Sequence, residues 1–244
     1  VSLNFTSQDT NRLTLFTNYG TGGILVLTNA TLSCTNGFVF YSANVRNVWE
    51  ASSGYTRIGA LTVSGGGVEI GKGELQLSST TNNWTGDLKF STLGGNDGSA
   101  RIDGVATNTA LNVTGNLVLA RSQTRFSANL IPTINGNLVL DVDNPSLYSR
   151  CNTATPLTIN GVVADGAATN AALTFIGNGN TKIMAPPGVS STRTGVTTIG
   201  KSTGSGGNVQ LSGSNVLSAG GDVNIPYFQR LWILSDGANA LSTS

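Results

Sequence analysis

The sequence contains no histidine, few charges and no long apolar run. Histidine is the commonest general base and metal ligand, so its absence from 244 residues excludes Ser/His/Asp and Cys/His catalytic arrangements. Charged residues make up only 10% of the chain and the formal net charge is +1. The overall charge therefore gives no reason to expect binding to nucleic acid or to an anionic membrane surface. We therefore expect no nucleic-acid partner, no cofactor and no metal.

Long hydrophobic segments are missing as well. Apolar runs such as residues 24–27 are far shorter than the roughly 18 residues that span a bilayer. No charged-then-apolar leader is present either. We expect no membrane insertion of this segment, and we interpret the chain as a mature product. It is either a passenger released from a membrane anchor or a secreted subunit without a barrel.

What the sequence does contain is short apolar runs between glycine-rich and asparagine-rich corners. Helical periodicity is almost absent, and the runs recur at about the 8–12 residue spacing of all-β chains. Glycine and Asn-Gly supply the positive φ angles of tight corners. An all-β fold is predicted, with strands at 13–16, 24–27, 38–40, 61–63, 68–70, 75–77, 88–90, 111–113, 117–119, 138–142, 157–159, 173–176, 209–211 and 223–225.

Internal repetition favours a solenoid over a sandwich or a barrel. Segments 61–91 and 173–202 each pass from an apolar strand through a Gly-rich corner to a second strand, and then through a Ser/Thr-rich stretch that ends in Thr-Gly. A shorter pair, 113–119 and 134–140, shares Gly-Asn-Leu-Val-Leu, and 209–225 looks like a truncated copy. These repeats predict a β-solenoid in one elongated domain.

That domain covers residues 1–244 and is divided by its repeats. Residues 1–60 contain strands without a clear repeat, residues 61–225 contain degenerate repeats, and residues 226–244 form a cap or a subunit-docking segment.

The repeated segments resemble the autotransporter-associated β-strand repeat, which occurs in secreted and surface proteins of bacteria. Trp84 precedes Thr-Gly in the first copy, whereas Arg193 takes that position in the second. The resemblance implies a right-handed parallel β-helix that is exported and located outside the cell or on the bacterial cell surface. It implies no reaction.

Two groups of carboxylates are candidates for chemistry. Asp141 and Asp143 lie two residues apart, so on a strand they share one face at a spacing of about 7 Å, which would suit an inverting glycosidase or a calcium site. The alternative, which we favour, is a strand end entering a turn. Asp97 and Asp103 lie among glycines and are interpreted as turn residues. We predict no catalytic residue and no enzyme, with a polysaccharide-degrading β-helix as a second alternative.

The two cysteines, Cys34 and Cys151, are far apart in the sequence. With about 20–25 residues and about 4.8 Å per turn, a continuous solenoid holds them some 25 Å apart, beyond the roughly 7 Å reach of a disulfide. No intramolecular bridge is predicted.

Residues 225–234, IPYFQRLWIL, are the densest apolar stretch. They either cap the last open turn or dock another subunit, and residues 1–5 could meet them by strand addition across a subunit boundary. The candidate subunit contacts are Val1, Leu3, Phe5, Tyr227, Phe228, Leu231, Trp232 and Ile233.

The leading hypothesis is a non-enzymatic extracellular structural protein whose partner is itself. It would assemble head to tail into a bacterial surface filament or matrix through its outermost strands. The alternative is an adhesin-like passenger that binds glycans or host surfaces through aligned, exposed aromatic residues, Trp49, Tyr55 and Trp84. Exposure of Trp84 distinguishes the two hypotheses.

Overall fold

The computed structural model describes residues 2–5, 13–17, 24–42, 55–95, 100–200, 208–226, 229–234 and 241. Within these ranges every paired strand is parallel to its neighbours, and no residue is helical. Successive turns therefore stack along one axis, and the prediction of an all-β parallel solenoid is confirmed.

The strands are short, and most have three to five residues. In chain order they are β1 (Ser2–Phe5), β2 (Leu13–Thr17), β3 (Ile24–Cys34), β4 (Phe38–Ser42), β5 (Tyr55–Val63), β6 (Val68–Ile70), β7 (Gly73–Leu77), β8 (Thr81–Trp84), β9 (Leu88–Phe90), β10 (Ala100–Gly104), β11 (Thr109–Val113), β12 (Leu117–Leu119), β13 (Gln123–Phe126), β14 (Leu130–Ile134), β15 (Leu138–Leu140), β16 (Ser146–Ser149), β17 (Leu157–Ile159), β18 (Val163–Asp165), β19 (Leu173–Ile176), β20 (Asn180–Met184), β21 (Thr197–Ile199), β22 (Asn208–Ser212), β23 (Val223–Asn224) and β24 (Arg230–Ile233).

The chain visits three strand positions, which we call columns 1, 2 and 3, and the described strands after β18 lie in columns 1 and 2. Columns 1 and 2 form a 17-stranded sheet, and column 3 is a separate 7-stranded sheet of β2, β4, β6, β9, β12, β15 and β18. The long strands β3 and β5 run through columns 1 and 2. Column 1 continues through β7, β10, β13, β16, β19, β21 and β23. Column 2 contains β1, β8, β11, β14, β17, β20, β22 and β24 as well.

Side chains alternate between the interior and the outside along each strand, as the pleat requires. The three-residue strands of column 3, such as β9 and β15, bury their first and third residues and leave the middle one half-exposed. Full burial of one such Leu or Ile contributes roughly 1.5–3 kcal/mol. The interior is therefore built from stacked rows of apolar side chains.

One row in column 2 passes through the interior of every turn, and we call it the core row. Register places its members directly above one another, and all the interior ones are buried. From one end to the other these buried members are Cys34, Val63, Trp84, Val113, Ile134, Ile159, Ile183 and Leu211.

The corner between columns 2 and 3 repeats a five-residue motif over four successive turns. The motif reads WTGDL (84–88), VTGNL (113–117), INGNL (134–138) and INGVV (159–163). Its glycines stack closely: a Cβ on Gly136 would lie 2.7 Å from the backbone oxygen of Gly115. The fourth residue forms a ladder, because Asn116 N donates to Asp87 Oδ1 at 2.8 Å and Asn137 N donates to Asn116 Oδ1 at 2.9 Å. The close backbone approach and the ladder explain this motif.

This stacking corrects the alignment of the two longer repeats. Thr85-Gly86 lies between column 2 and column 3, whereas Thr194-Gly195 lies directly before β21 in column 1. Trp84 and Arg193 therefore do not occupy equivalent positions. The shorter pair is in true register, since Val113 pairs with Ile134 and Leu117 with Leu138.

The turn after β20 departs from the regular pattern. Residues 186–190 are exposed, and the chain returns to the interior at Ser191. Column 3 is continued by residues of the following turn, because Val163 N donates to Val216 O at 2.9 Å.

Arg193 fills the interior left by this departure. Its buried guanidinium donates to the carbonyls of Ala171, Val196 and Leu217 at 3.1, 2.9 and 2.8 Å. Burial lowers the pKa of Arg193, and the nearby Asp165 carboxylate opposes that shift. One arginine thus ties together backbone from successive turns.

Candidate functional site

The last strand of column 2 exposes a core-row side chain, whereas the interior turns bury theirs. Ile233 continues the core row beyond Leu211, yet 43% of its surface is exposed, compared with 0% for Leu211. Ile225, just after β23, is 46% exposed. Leu231 is half-buried against the core, and Trp232 is half-buried. Ile233 and Ile225 are therefore exposed apolar side chains at the last strands of the part of the chain that the structure describes.

The first strand that the structure describes, β1, belongs to the same column. Leu3 pairs with Leu32 and Phe5 pairs with Cys34, and both of these partners are buried. The predicted contact residues Leu3, Phe5, Leu231, Trp232 and Ile233 are therefore all located on the two outermost strands of column 2. Val1, Tyr227 and Phe228 lie outside the described residues.

Trp84 is a core residue rather than a surface aromatic. It is 1% exposed, occupies the core row between Val63 and Val113, and its indole Nε1 donates to Leu61 O at 2.9 Å. The ring is surrounded by the solenoid interior and offers no face to a sugar. The adhesin-like alternative requires Trp84 to be exposed, and this burial removes that support.

Of the other two predicted glycan contacts, only Tyr55 is described. It is half-buried, and the Arg57 guanidinium lies 5.0 Å from its ring centroid. Arg57 also donates to Gln76 Oε1 at 2.8 Å, which holds it in that position. Arg57 therefore occupies one face of the Tyr55 ring. Trp49 lies outside the described residues.

The predicted carboxylate pair is not held on a strand. Strand β15 ends at Leu140, so Asp141 and Asp143 lie beyond it, next to Asn144 with its positive φ of 54°. The strand-end interpretation is confirmed, and the placement of both carboxylates on one strand face is wrong. Asp141 is not purely solvated, because its Oδ2 lies 3.2 Å from Lys89 Nζ and its Oδ1 accepts from Ala167 N at 3.0 Å. Asp143 is exposed.

The Lys89–Asp141 ion pair crosses a shallow cavity on the outer side of column 3. The cavity has a volume of about 370 Å³ and is lined by Gly66, Asp87, Lys89, Asn116, Val118, Val139 and Asp141. Both oxygens of Asp141 are engaged within the fold, and Asp87 accepts the backbone N–H of Asn116. The carboxylates of this cavity therefore serve the stacking of turns.

Asp103 is a strand residue, which corrects its interpretation as a turn residue. It lies in β10 and accepts hydrogen bonds from Arg101 and from Ser127 Oγ. Asp97 lies outside the described residues. Among those the structure does describe, no group of three or more His, Cys, Asp and Glu side chains is placed to hold a metal ion.

A row of charged and aromatic side chains on the outer side of column 1 was not anticipated from the sequence. Register stacks Glu74, Arg101, Arg125 and Tyr148 on successive turns. Arg101 lies 3.6 Å from Glu74, and Arg125 and Arg150 lie 5.5 and 5.8 Å from the Tyr148 ring centroid. The residues are more than twenty positions apart in sequence, so only knowledge of the turn lengths could have aligned them.

Burial changes the proton affinities in this row. It lowers the pKa of Arg125 to about 10; Tyr148 opposes the shift, and the like charges of Arg101 and Arg150 add to it. It raises the pKa of Glu74, and the Arg101 guanidinium opposes that change. At neutral pH Arg125 stays protonated, so the row forms an ionic and cation–π ladder on the outside of column 1.

Cys34 and Cys151 are both buried free thiols. The first belongs to the core row, and the second follows β16 several turns away. The prediction that no bridge joins them is confirmed.

Comparison with known proteins finds no matching family model, no matching curated protein and no matching solved structure. In the described ranges no helix is long and apolar enough to cross a membrane.

Proposed function

We propose that this protein is a non-enzymatic structural subunit that assembles head to tail into an extracellular filament of bacterial origin. The observation that carries the proposal is the exposure of Ile233 at the last position of a row whose interior members are buried. A second copy stacked on that end would bury Ile233 as the interior turns bury Leu211. The extracellular and bacterial assignments rest on the resemblance to the autotransporter-associated repeat.

The geometry of a parallel solenoid supports this mode of assembly. Its two ends present different surfaces, so a contact between them is heterologous, and such a contact gives an open polymer unless the rotation closes a ring. The edge strand of a parallel sheet in general offers N–H and C=O groups that a strand of another copy can pair with.

Two observations favour a structural role over the alternatives. Asp141, the best candidate for a catalytic carboxylate, is committed to Lys89 and to Ala167 N. Trp84, the proposed sugar platform, is buried. Asp141 and Trp84 thus contribute to folding.

The proposal is tested by sedimentation velocity over increasing protein concentration. Wild type should shift from monomer to large, polydisperse species, and Ile233→Lys should stay monomeric because a charge is then placed in the joint. Val105→Lys is the matched control, since Val105 is similarly exposed at 41% but lies at a corner of an interior turn. Val105→Lys should assemble like wild type. Equal assembly of wild type and Ile233→Lys would refute the proposed joint, and a monomeric wild type at all concentrations would refute the function.

A further inference from the structure

We propose that Arg125, Tyr148 and Arg150, on the outer side of column 1, bind a sulfate or phosphate group. This inference goes beyond the filament function and does not depend on assembly. The strands that carry the site, β13 and β16, each pair with a strand on both sides, so the site belongs to interior turns of the solenoid.

Two guanidinium groups lie beside one tyrosine ring. Register places Arg125 next to Tyr148 on the neighbouring strand, and the Arg125 Cζ atom lies 5.5 Å from the ring centroid. Arg150 follows Tyr148 by two residues, and its Cζ atom lies 5.8 Å from the same centroid. Arg125 and Tyr148 are buried, whereas Arg150 is exposed. The ring, which attracts cations, therefore holds two positive charges together, one covered and one open to solvent.

A third guanidinium, that of Arg101, adds to the positive charge. Arg101 precedes Arg125 in the same row and contacts two carboxylates, with Glu74 Oε2 at 3.6 Å from its Nη1 and Asp103 accepting a hydrogen bond from its Nη2. Burial lowers the pKa of Arg125 to about 10, and the like charges of Arg101 and Arg150 add to that shift. An anion bound beside Arg125 would offset this repulsion.

A narrow cleft opens between these side chains. Its volume is about 10 Å³, and its lining residues are Arg101, Arg125, Phe126, Ser127, Tyr148 and Arg150. A volume of roughly 10–15 Å³ on this measure accommodates one water-sized atom. One oxygen of an anion can therefore enter the cleft, while the rest of the group stays outside beside the exposed Arg150.

The arrangement of donors favours a tetrahedral oxyanion over a carboxylate. A planar carboxylate is matched by a single guanidinium through parallel hydrogen bonds. Here the guanidiniums come from successive turns, because Arg125 lies in β13 and Arg150 follows β16, and the Tyr148 hydroxyl is a further donor. A sulfate or phosphate group presents several acceptor oxygens in different directions, so it can accept from all of these donors.

Calorimetric titration with sodium sulfate and sodium phosphate at constant ionic strength tests the site. Wild type should bind, and Arg150→Gln should bind about tenfold more weakly because one charged donor is lost from an exposed position. Arg57→Gln is the matched control, since Arg57 also lies on column 1 beside a tyrosine ring, 5.0 Å from the centroid of Tyr55. Strand β5, which carries Arg57, is about 19 Å from β16 at about 4.8 Å per strand. Arg57→Gln should bind like wild type.

Heparin, a sulfated polysaccharide, and desulfated heparin distinguish a free anion from a group carried on a polymer. Binding of inorganic sulfate or phosphate that only Arg150→Gln weakens supports a site for the free anion. Heparin binding that is lost on desulfation and weakened only by Arg150→Gln supports a site for the polymer-borne group. Equal weakening by Arg57→Gln and Arg150→Gln would reveal general charge attraction and overturn the proposal. Binding of desulfated heparin as tight as that of heparin, or failure of wild type to bind sulfate, phosphate and heparin, would overturn it as well.

Discussion

Isoleucine side chains of the core row are buried in the interior turns and exposed in the last turn. Ile159 and Ile183 in the core row are completely buried, whereas Ile233, in the same row, is 43% exposed. All three are isoleucines on column 2 strands. The difference comes from stacking: an interior residue has a turn on both sides, and Ile233 has β22 on one side. Burial in this fold is therefore set by the neighbouring turns, and Ile233 is the exposed end of the core row within the described residues.

The most direct way to test this comparison is to make the same substitution at both positions. Ile159→Ala leaves a cavity between two packed turns and should lower the free energy of unfolding by about 2–5 kcal/mol. Ile233→Ala removes a partly exposed side chain and should lower it by less than about 1 kcal/mol. Urea denaturation at a concentration where the protein is monomeric gives both values. Equal losses would show that the last turn is as well covered as the interior.

A smaller loss is expected from the buried arginine. Arg193→Met leaves the carbonyls of Ala171, Val196 and Leu217 without their donor and should cost about 3 kcal/mol, since an unsatisfied buried polar group costs about 1–3 kcal/mol. The matched variant Arg230→Met changes an exposed residue of the last turn and should be neutral within about 0.5 kcal/mol. Thermal unfolding by circular dichroism compares the two. A stable Arg193→Met protein would mean that the guanidinium does not hold these turns together.

The corner ladder should give the next largest effect. Asn116→Ala removes the acceptor for Asn137 N, and the expected loss is about 1–2 kcal/mol. Asn116→Asp keeps an oxygen at that position, as Asp87 does in the preceding turn, and should recover most of the loss. Asn224→Ala in β23, where the asparagine is exposed, serves as the control outside the ladder and should change stability by less than about 0.5 kcal/mol. The prediction fails if the aspartate variant is as unstable as the alanine variant.

The buried thiols should stabilise the fold at neutral pH and lose that contribution in alkali. Burial raises the pKa of Cys34 to about 11 and of Cys151 to about 12, from the ordinary value of 9.0. The unfolded chain therefore releases its thiol protons at lower pH than the folded chain, so this contribution is complete below pH 9 and declines as pH rises to about 11–12. Unfolding midpoints of wild type and Cys151→Ala should converge over that range. If the unfolding midpoints of wild type and Cys151→Ala changed in parallel with pH, the raised pKa of the Cys151 thiol would be contradicted.

Much of the fold could be predicted from the sequence because one class of strand is strongly apolar. Every predicted strand run overlaps an observed strand, including β6 (VEI) and β9 (LKF) of column 3, which have an apolar–polar–apolar pattern. The strands that were not anticipated, such as β8 (TNNW) and β13 (QTRF), carry polar residues inside as well as outside. Thr124 and Asn82, for example, are buried among apolar rows. Their strand conformation is imposed by the turns above and below.

Turn length is what the sequence left undetermined. Thr-Gly occurs at two different corners, so a comparison by motif aligned Trp84 with Arg193, although the first lies in a strand and the second in an irregular turn. Because the turn lengths were unknown, the row from Glu74 to Tyr148 could not be predicted either. Its members become neighbours only when the turns are stacked in register. Exposure was equally hard to foresee, since Trp84 is next to polar residues in sequence and yet lies in the core row.

The central claim is that the exposed last turn is the joint of a filament, and electron microscopy of the wild-type protein tests it most directly. Negatively stained samples over a range of concentrations should show unbranched fibres one solenoid wide that lengthen with concentration and are absent from Ile233→Lys. Uniform single particles at every concentration, with a length of one subunit, would contradict the claim.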